Sequence, residues 1–156
     1  MDMDIEVKDL PARRVAYVRE LGAYAESAGR AWGALCRWAG PRGLLGPHAM
    51  MIGVSYDDPD VTAPDKLRYD ACVTVGDEVR PEREINLAEL AAGRYAVVHF
   101  DGKLEQLHEV YRAFHAEWLP ESGYQPGDSP CYEIYLSDKR ADGSMQVDIC
   151  IPIQPL

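Results

Sequence analysis

Positive charge is scarce in this chain. Its 156 residues carry 16 Lys and Arg against 26 Asp and Glu, a formal net charge of −10. Such a surface repels phosphate, which argues against direct nucleic-acid binding and favours cationic small molecules or a basic partner surface. Long apolar runs are missing as well. No segment reaches the roughly 20 apolar residues that a membrane-spanning helix needs. The start, MDMDIEVKD, has no basic stretch followed by an apolar one, so no signal peptide is expected. Cysteine is sparse. Cys36, Cys72, Cys131 and Cys150 form no CxxC and no tight framework, which points to burial as small apolar groups in a reduced, cytoplasmic setting. No GxSxG, phosphate-binding loop or dinucleotide fingerprint is present, and no cofactor is expected. His108, Arg112 and His115 share one helical face with Glu105 close by, but HEVYRAFH is not HExxH. Arg112 between the histidines repels a metal ion, so the face is read as solvated and no metal site is expected.

What the chain does have is a repeat. RVAYV at residues 14–18 lies over RYAVV at residues 94–98, an offset of 80. At that offset Gly22 falls on Gly102 and Trp38 on Trp118. Tyr56 meets Tyr135 at 79, and YDACVTV (69–75) meets VDICIPI (147–153) at 78. Asp70 thereby lands on Asp148 and Cys72 on Cys150. Recurrence of both aspartates argues for a structural role.

Each copy reads strand, helix, strand, strand. In the first, residues 14–20 form a strand and 24–38 a helix, with Ala28, Ala31, Trp32, Leu35 and Ala39 at helical spacing. Gly40 and Pro41 end that helix, and strands follow at 50–56 and 67–75. In the second, 94–100 is a strand and 103–119 a helix, with Leu104, Leu107, Tyr111, Phe114 and Trp118 on one stripe. A hairpin then joins 131–136 to 146–153. The N-terminal residues 1–9 add a strand. Residues 81–90 link the copies, with Asn86 as a helix cap before Leu87. The expectation is one α+β domain over 1–156: repeat 1 at about 10–78, a linker at about 79–92 and repeat 2 at about 93–153. Tandem βαββ units with pseudo-two-fold symmetry set helices beside antiparallel sheets, flanking a central groove that suits a ligand.

One strand residue breaks the pattern. In SPCYEIYL, residues 129–136, Glu133 stands among aromatic and branched residues with no Lys or Arg in the stretch. Cys131, Glu133 and Tyr135 share a face, and at an offset of 79 their mates are Ile52, Val54 and Tyr56. The position is thus suited to burial. A buried unpaired carboxylate costs several kcal/mol unless a cation or donors meet it. The competing reading is a glutamate on a solvated face or one capped by Ser, Tyr or backbone donors.

The stretches RVAYVRELGAY, RAWGALCRWAGPRGLLGP, GVSYDDPDVT, KLRYDACVTV, AAGRYAVVHFDG, EWLPESGY and PCYEIYLSD resemble the GyrI-like small-molecule-binding family, over nearly the whole chain. These are effector-binding domains found alone or fused to AraC-type and related regulators. The resemblance implies a tandem βαββ pair with a groove on its pseudo-dyad. It implies that Glu133 is the groove glutamate that meets cationic aromatic ligands, and that Tyr69 of RYDAC and Trp118 of EWLPESGY wall the groove, with Tyr17 and Tyr135 as further members. Trp118 also lies on its helix's apolar stripe, and Tyr69 shares a strand face with Ala71, Val73 and Val75, so core packing competes for both. No helix-turn-helix is expected beside the domain.

Two functions remain open. The favoured one is a stand-alone pocket for amphipathic, often cationic, aromatic multidrug-type compounds, acting in sensing, sequestration or resistance. A partner such as DNA gyrase, for which one branch of the family is named, or a regulator protein belongs to this reading. The alternative is a hydrolase of electrophilic small molecules, including cyclopropane-containing ones. Glu133 would then be the general base, its pKa raised by apolar surroundings.

Overall fold

In the computed structural model residues 3–156 are described, so Met1 and Asp2 of the expected first strand lie outside them. The chain runs β1 (Asp4–Leu10), β2 (Arg13–Leu21), α1 (Tyr24–Ala39), β3 (Met51–Ser55), β4 (Arg68–Thr74), β5 (Asn86–Leu90) and β6 (Gly93–Lys103). It continues with α2 (Leu107–Ala113), α3 (Leu119–Ser122), β7 (Tyr124–Pro126), β8 (Tyr132–Tyr135) and β9 (Ser144–Pro155).

The strands join in one sheet of order β1-β6-β9-β8-β3-β4-β2-β5, with β7 added to β9. Every pairing is antiparallel. Exchanging β1 with β5, β2 with β6, β3 with β8 and β4 with β9 reverses that order and leaves it otherwise unchanged. The fold is therefore α+β with two-fold pseudosymmetry, and the two copies meet at β3 and β8. Each copy's first strand crosses over. β1 pairs with β6 of the second copy, and β5 pairs with β2 of the first.

Two expectations are corrected. Asn86 does not cap a helix: it opens β5, whose Leu87 and Leu90 face opposite sides of the sheet. The i, i+3 spacing of these leucines suits a helix as well as a strand, and pairing with β2 outweighs the helical propensity of Leu, Ala and Glu. The helix expected over residues 103–119 is not continuous. A 3₁₀ turn at Leu104–Gln106 precedes α2, and a π-helical turn at Phe114–Trp118 separates α2 from α3. Pro120 has no N–H for the preceding turn and disfavours an unbroken α-helical ladder there. Gly123, at φ 82°, ends α3 in the left-handed conformation.

Helices cover one face of the sheet. Ala31, Leu35 and Ala39 of α1 pack on Ala16, Val18, Ala71 and Val73. Val110 and Phe114 pack on Ala96, Val98, Val147 and Ile149. The other face holds Val15, Ile52, Tyr95, Tyr132 and Cys150, buried among themselves and their neighbours with no helix residue in the cluster.

Candidate functional site

The registers fix which residues are mates. Val15 pairs with Thr74 and Tyr95 with Pro152; Arg19 pairs with Asp70 and His99 with Asp148. The outer strands thus correspond at 80 and the inner ones at 78. Val54 lies opposite Asp70, and Ile134 opposite Asp148, so the mate of Val54 is Ile134. The mate of Glu133 is then Gly53, which pairs with it directly across β3 and β8. This corrects the match of Glu133 to Val54, and that of Tyr135 to Tyr56. Val54 belongs to the helix-free face, and the Tyr56 hydroxyl donates to Asp70 Oδ2 (2.9 Å). Glu133 stands on the pseudo-dyad, on the helix-covered face.

Glu133 is 6% exposed. Tyr111 of α2 donates to Oε2 and Tyr135 to Oε1, each at 2.9 Å. The Tyr69 hydroxyl lies 3.1 Å from that of Tyr135, and Trp32 Nε1 of α1 donates to it at 2.9 Å. The Tyr135 proton is committed to Glu133, so Tyr69 donates to Tyr135. The polarity then runs one way, from the Trp32 indole through two hydroxyls to the carboxylate, an arrangement in which each bond strengthens the next. Among the described residues no cationic side chain pairs with Glu133. Burial pushes its carboxyl above the usual range, while the Tyr135 and Tyr111 hydroxyls hold it back. Burial and the nearby anion raise the Tyr111 and Tyr135 phenols well above theirs, so both remain donors. Burial, with Glu133 close, also pushes the Cys131 thiol up to about 11.

Aromatic rings surround this chain of donors. Trp32 meets Tyr135 edge-on with centroids 5.7 Å apart, and Tyr24 meets Tyr69 at 6.0 Å. The connection between β3 and β4 is tied down beside them. The Tyr24 hydroxyl bonds both the N–H and the carbonyl of Asp57, and Asp60 Oδ2 lies 3.1 Å from both His108 Nε2 and Arg112 Nη2. Residues 57–60 therefore join the start of α1 to the outer side of α2, whose inner side carries Tyr111. His115, read with His108 and Arg112 as one solvated face, turns Nδ1 to the Tyr111 carbonyl.

Of the residues singled out in the sequence, the structure brings Glu133, Tyr135 and Tyr69 together. Trp118 stacks on Phe114 at 5.1 Å and packs with the α2-side core. Tyr17 is on the opposite face of the sheet, where Arg19 lies over its ring. Trp32, Tyr24, Tyr111 and Gly53 join the site without having been singled out. Tyr111 and Trp32 lay within apolar stripes, yet each carries a polar atom that needs a partner when buried. Gly53 was a glycine inside a strand, a sign of close approach. Asp70 and Asp148 have equivalent uses: Asp70 holds Arg19 through two hydrogen bonds, and Asp148 holds His99 Nδ1 at 2.7 Å.

Comparison with known proteins agrees with this architecture. A DNA gyrase inhibitor of Edwardsiella piscicida is 31% identical over 163 residues, covering 97% of this chain and 99% of the relative. One of Serratia proteamaculans is 34% identical over 154 residues, covering 94% and 96%. The fold matches EcmrR in an EcmrR–DNA complex with a TM-score of 0.81 at 18% identity, over 99% of this chain and 58% of that one. The EcmrR C-terminal domain alone matches at 0.75 and 17%, over the full length of both. A hydrolase from Listeria innocua matches at 0.64 and 14%, over 96% and 91%. A protein bound to tetraphenylphosphonium matches at 0.60 and 17%, over 97% and 94%. Residues 3–154 match the GyrI-like small molecule binding domain, and the chain belongs to that family.

Proposed function

We propose that the protein binds amphipathic, cationic aromatic compounds above Glu133, and that it serves in sensing, sequestration or resistance. The observation that carries this reading is a buried carboxylate met by tyrosine hydroxyls and, among the described residues, by no cationic side chain. A bound cation supplies the missing counter-charge. Rings such as Trp32, Tyr24, Tyr69 and Tyr135 add stacking and cation–π contacts of about 0.5–2 kcal/mol each. The fold neighbour bound to tetraphenylphosphonium lends support. Because Glu133 is so little exposed, entry requires the rings or residues 57–60 to shift. Trp118 is a candidate for the outer wall on the α2 side.

The test is calorimetry with tetraphenylphosphonium and with neutral triphenylphosphine oxide. Glu133→Gln should weaken the cation roughly tenfold or more, about 1.4 kcal/mol, and the neutral compound far less. Equal losses, or none, would remove Glu133 as an anchor.

A second reading treats the protein as a hydrolase with Glu133 as general base. What favours it is the upward push on a carboxyl held among apolar groups. Turnover of an electrophilic, cyclopropane-containing substrate, followed by mass, separates the two. In that case Glu133→Gln abolishes product and leaves affinity largely intact. For partners, the relatives named DNA gyrase inhibitor suggest gyrase itself, and a supercoiling assay tests it. A regulator protein is the other candidate, and the charge of −10 argues against direct nucleic-acid binding. The four free cysteines suit a reducing cytoplasm.

A further inference from the structure

Gly53 is buried in β3, opposite Glu133 and equivalent to it by pseudosymmetry. The glycines with positive φ lie elsewhere, at Gly22, Gly43, Gly93, Gly123 and Gly143. The backbone at Gly53 is therefore compatible with any L-residue, and glycine is not required by conformation. It is required by space. A Cβ there would overlap the Tyr69 hydroxyl and lie 2.6 Å from that of Tyr135, with a Tyr135 ring carbon at 3.1 Å. The hydrogen bond between the two hydroxyls sits on the bare backbone of β3.

We infer that Gly53 is a positioning residue of the ligand site: the space left by its absent side chain is where the Tyr69 and Tyr135 hydroxyls meet, and their meeting aims the Tyr135 O–H at Glu133. Its consequence for ligand affinity rests on Glu133 being the anchor proposed above. Its consequence for Glu133 itself does not. With a methyl group at position 53 the hydroxyls must part, and the carboxylate loses a donor and the indole-to-carboxylate chain behind it. The same methyl has room once both hydroxyls are gone, since the ring carbon needs to yield only a few tenths of an ångström.

Four proteins test this: wild type, Gly53→Ala, the double variant Tyr69→Phe/Tyr135→Phe, and the triple variant. The first readout is the titration of the Glu133 side-chain carboxyl by carbon-13 NMR, without ligand. Gly53→Ala should raise its midpoint, the double variant should raise it similarly, and the triple variant should match the double. The second readout is tetraphenylphosphonium affinity, which should fall about tenfold in Gly53→Ala and change less than about twofold between double and triple. A midpoint unmoved by Gly53→Ala overturns the inference. So does a shift that is as large in the phenylalanine background as in wild type, because the glycine would then serve β3 packing alone. If Gly53→Ala fails to fold while the triple variant folds, the hydroxyls are the obstacle and the inference stands; if both fail, it falls. Should the wild-type protein not bind tetraphenylphosphonium, the anchor reading fails, and the titration still decides the role of Gly53.

Discussion

Two titrating residues carry pH sensitivity of different origin. Glu133 is held above its usual carboxyl range, with burial as the leading cause. A raised carboxyl pKa means that the folded state favours the protonated form. Its contribution is fully present below the unfolded value, near 4.5, and is lost as pH rises through the folded value. Glu133→Gln should therefore stabilise the protein at neutral pH, by on the order of 1 kcal/mol, and the gain should shrink toward pH 4. Urea melts at both pH values check this, and a gain independent of pH would contradict it. His99, near Asp148 on β9 and Glu6 on β1, is raised chiefly by the Asp148 hydrogen bond. Its contribution is present below about 6.5 and lost as pH rises through the folded value. His99→Gln should flatten stability as pH rises above about 6.5. The effect should stay below about 1 kcal/mol, because the side chain is 34% exposed and its partners are screened.

Elements differ in what holds them. α1 is pinned by apolar contact: Leu35 is wholly buried against β2 and β4. Leu35→Ala should cost about 2–5 kcal/mol in urea denaturation, the cost of lost transfer plus an unfilled cavity. The β3–β4 connection is pinned to α2 by exposed ion pairs, with side-chain exposure of 52% for Asp60 and 57% for Arg112. Such pairs are worth about 0–1 kcal/mol and weaken with salt. Asp60→Ala should therefore leave global stability nearly unchanged while speeding amide exchange across residues 57–63. Exchange as slow as in wild type would show that Tyr24 and the turn itself hold the connection. The break in the second helix has a local cause in Pro120, and a π-helical turn shifts the facing of the residues beyond it. Trp118 closes that turn and still stacks on Phe114, in the cluster that Leu104, Leu107 and Tyr111 join, so the expected stripe holds through the break.

At the scale of the molecule, strand exchange decides cooperativity. β1 belongs to the first copy in sequence and to the second in the sheet, and β5 does the reverse. Neither copy completes its own sheet, and β3 and β8 join the halves in the middle. Urea unfolding should be a single transition by fluorescence and circular dichroism alike. The fragments 1–80 and 81–156 should each give collapsed NMR dispersion alone and recover it on mixing. Two separate transitions, or a fragment folded alone, would show that the exchanged strands are dispensable.

The sequence by itself determined the repeat, the oddity of Glu133 and the element types within each copy, but not the strand β5, which it read as a helix. Period-2 and period-3.6 patterns are local, and two copies of one pattern reinforce each other. It also determined that Asp70 and Asp148 recur, which the structure explains through Arg19 and His99. Tertiary structure alone decided which residue opposes Glu133. A one-residue change of offset reverses the face of every side chain in a strand. The choice between Val54 and Gly53 depended on pairing with Asp70 and Asp148, whose strands are distant in sequence. Tertiary structure also decided the donors. Tyr111 and Trp32 sit on apolar stripes, and a stripe does not tell which ring atom reaches across to a carboxylate. The hydroxyls of Tyr69 and Tyr135 meet only because β3 and β8 are neighbours with a bare glycine between them, and that adjacency comes from joining two half-sheets on the pseudo-dyad.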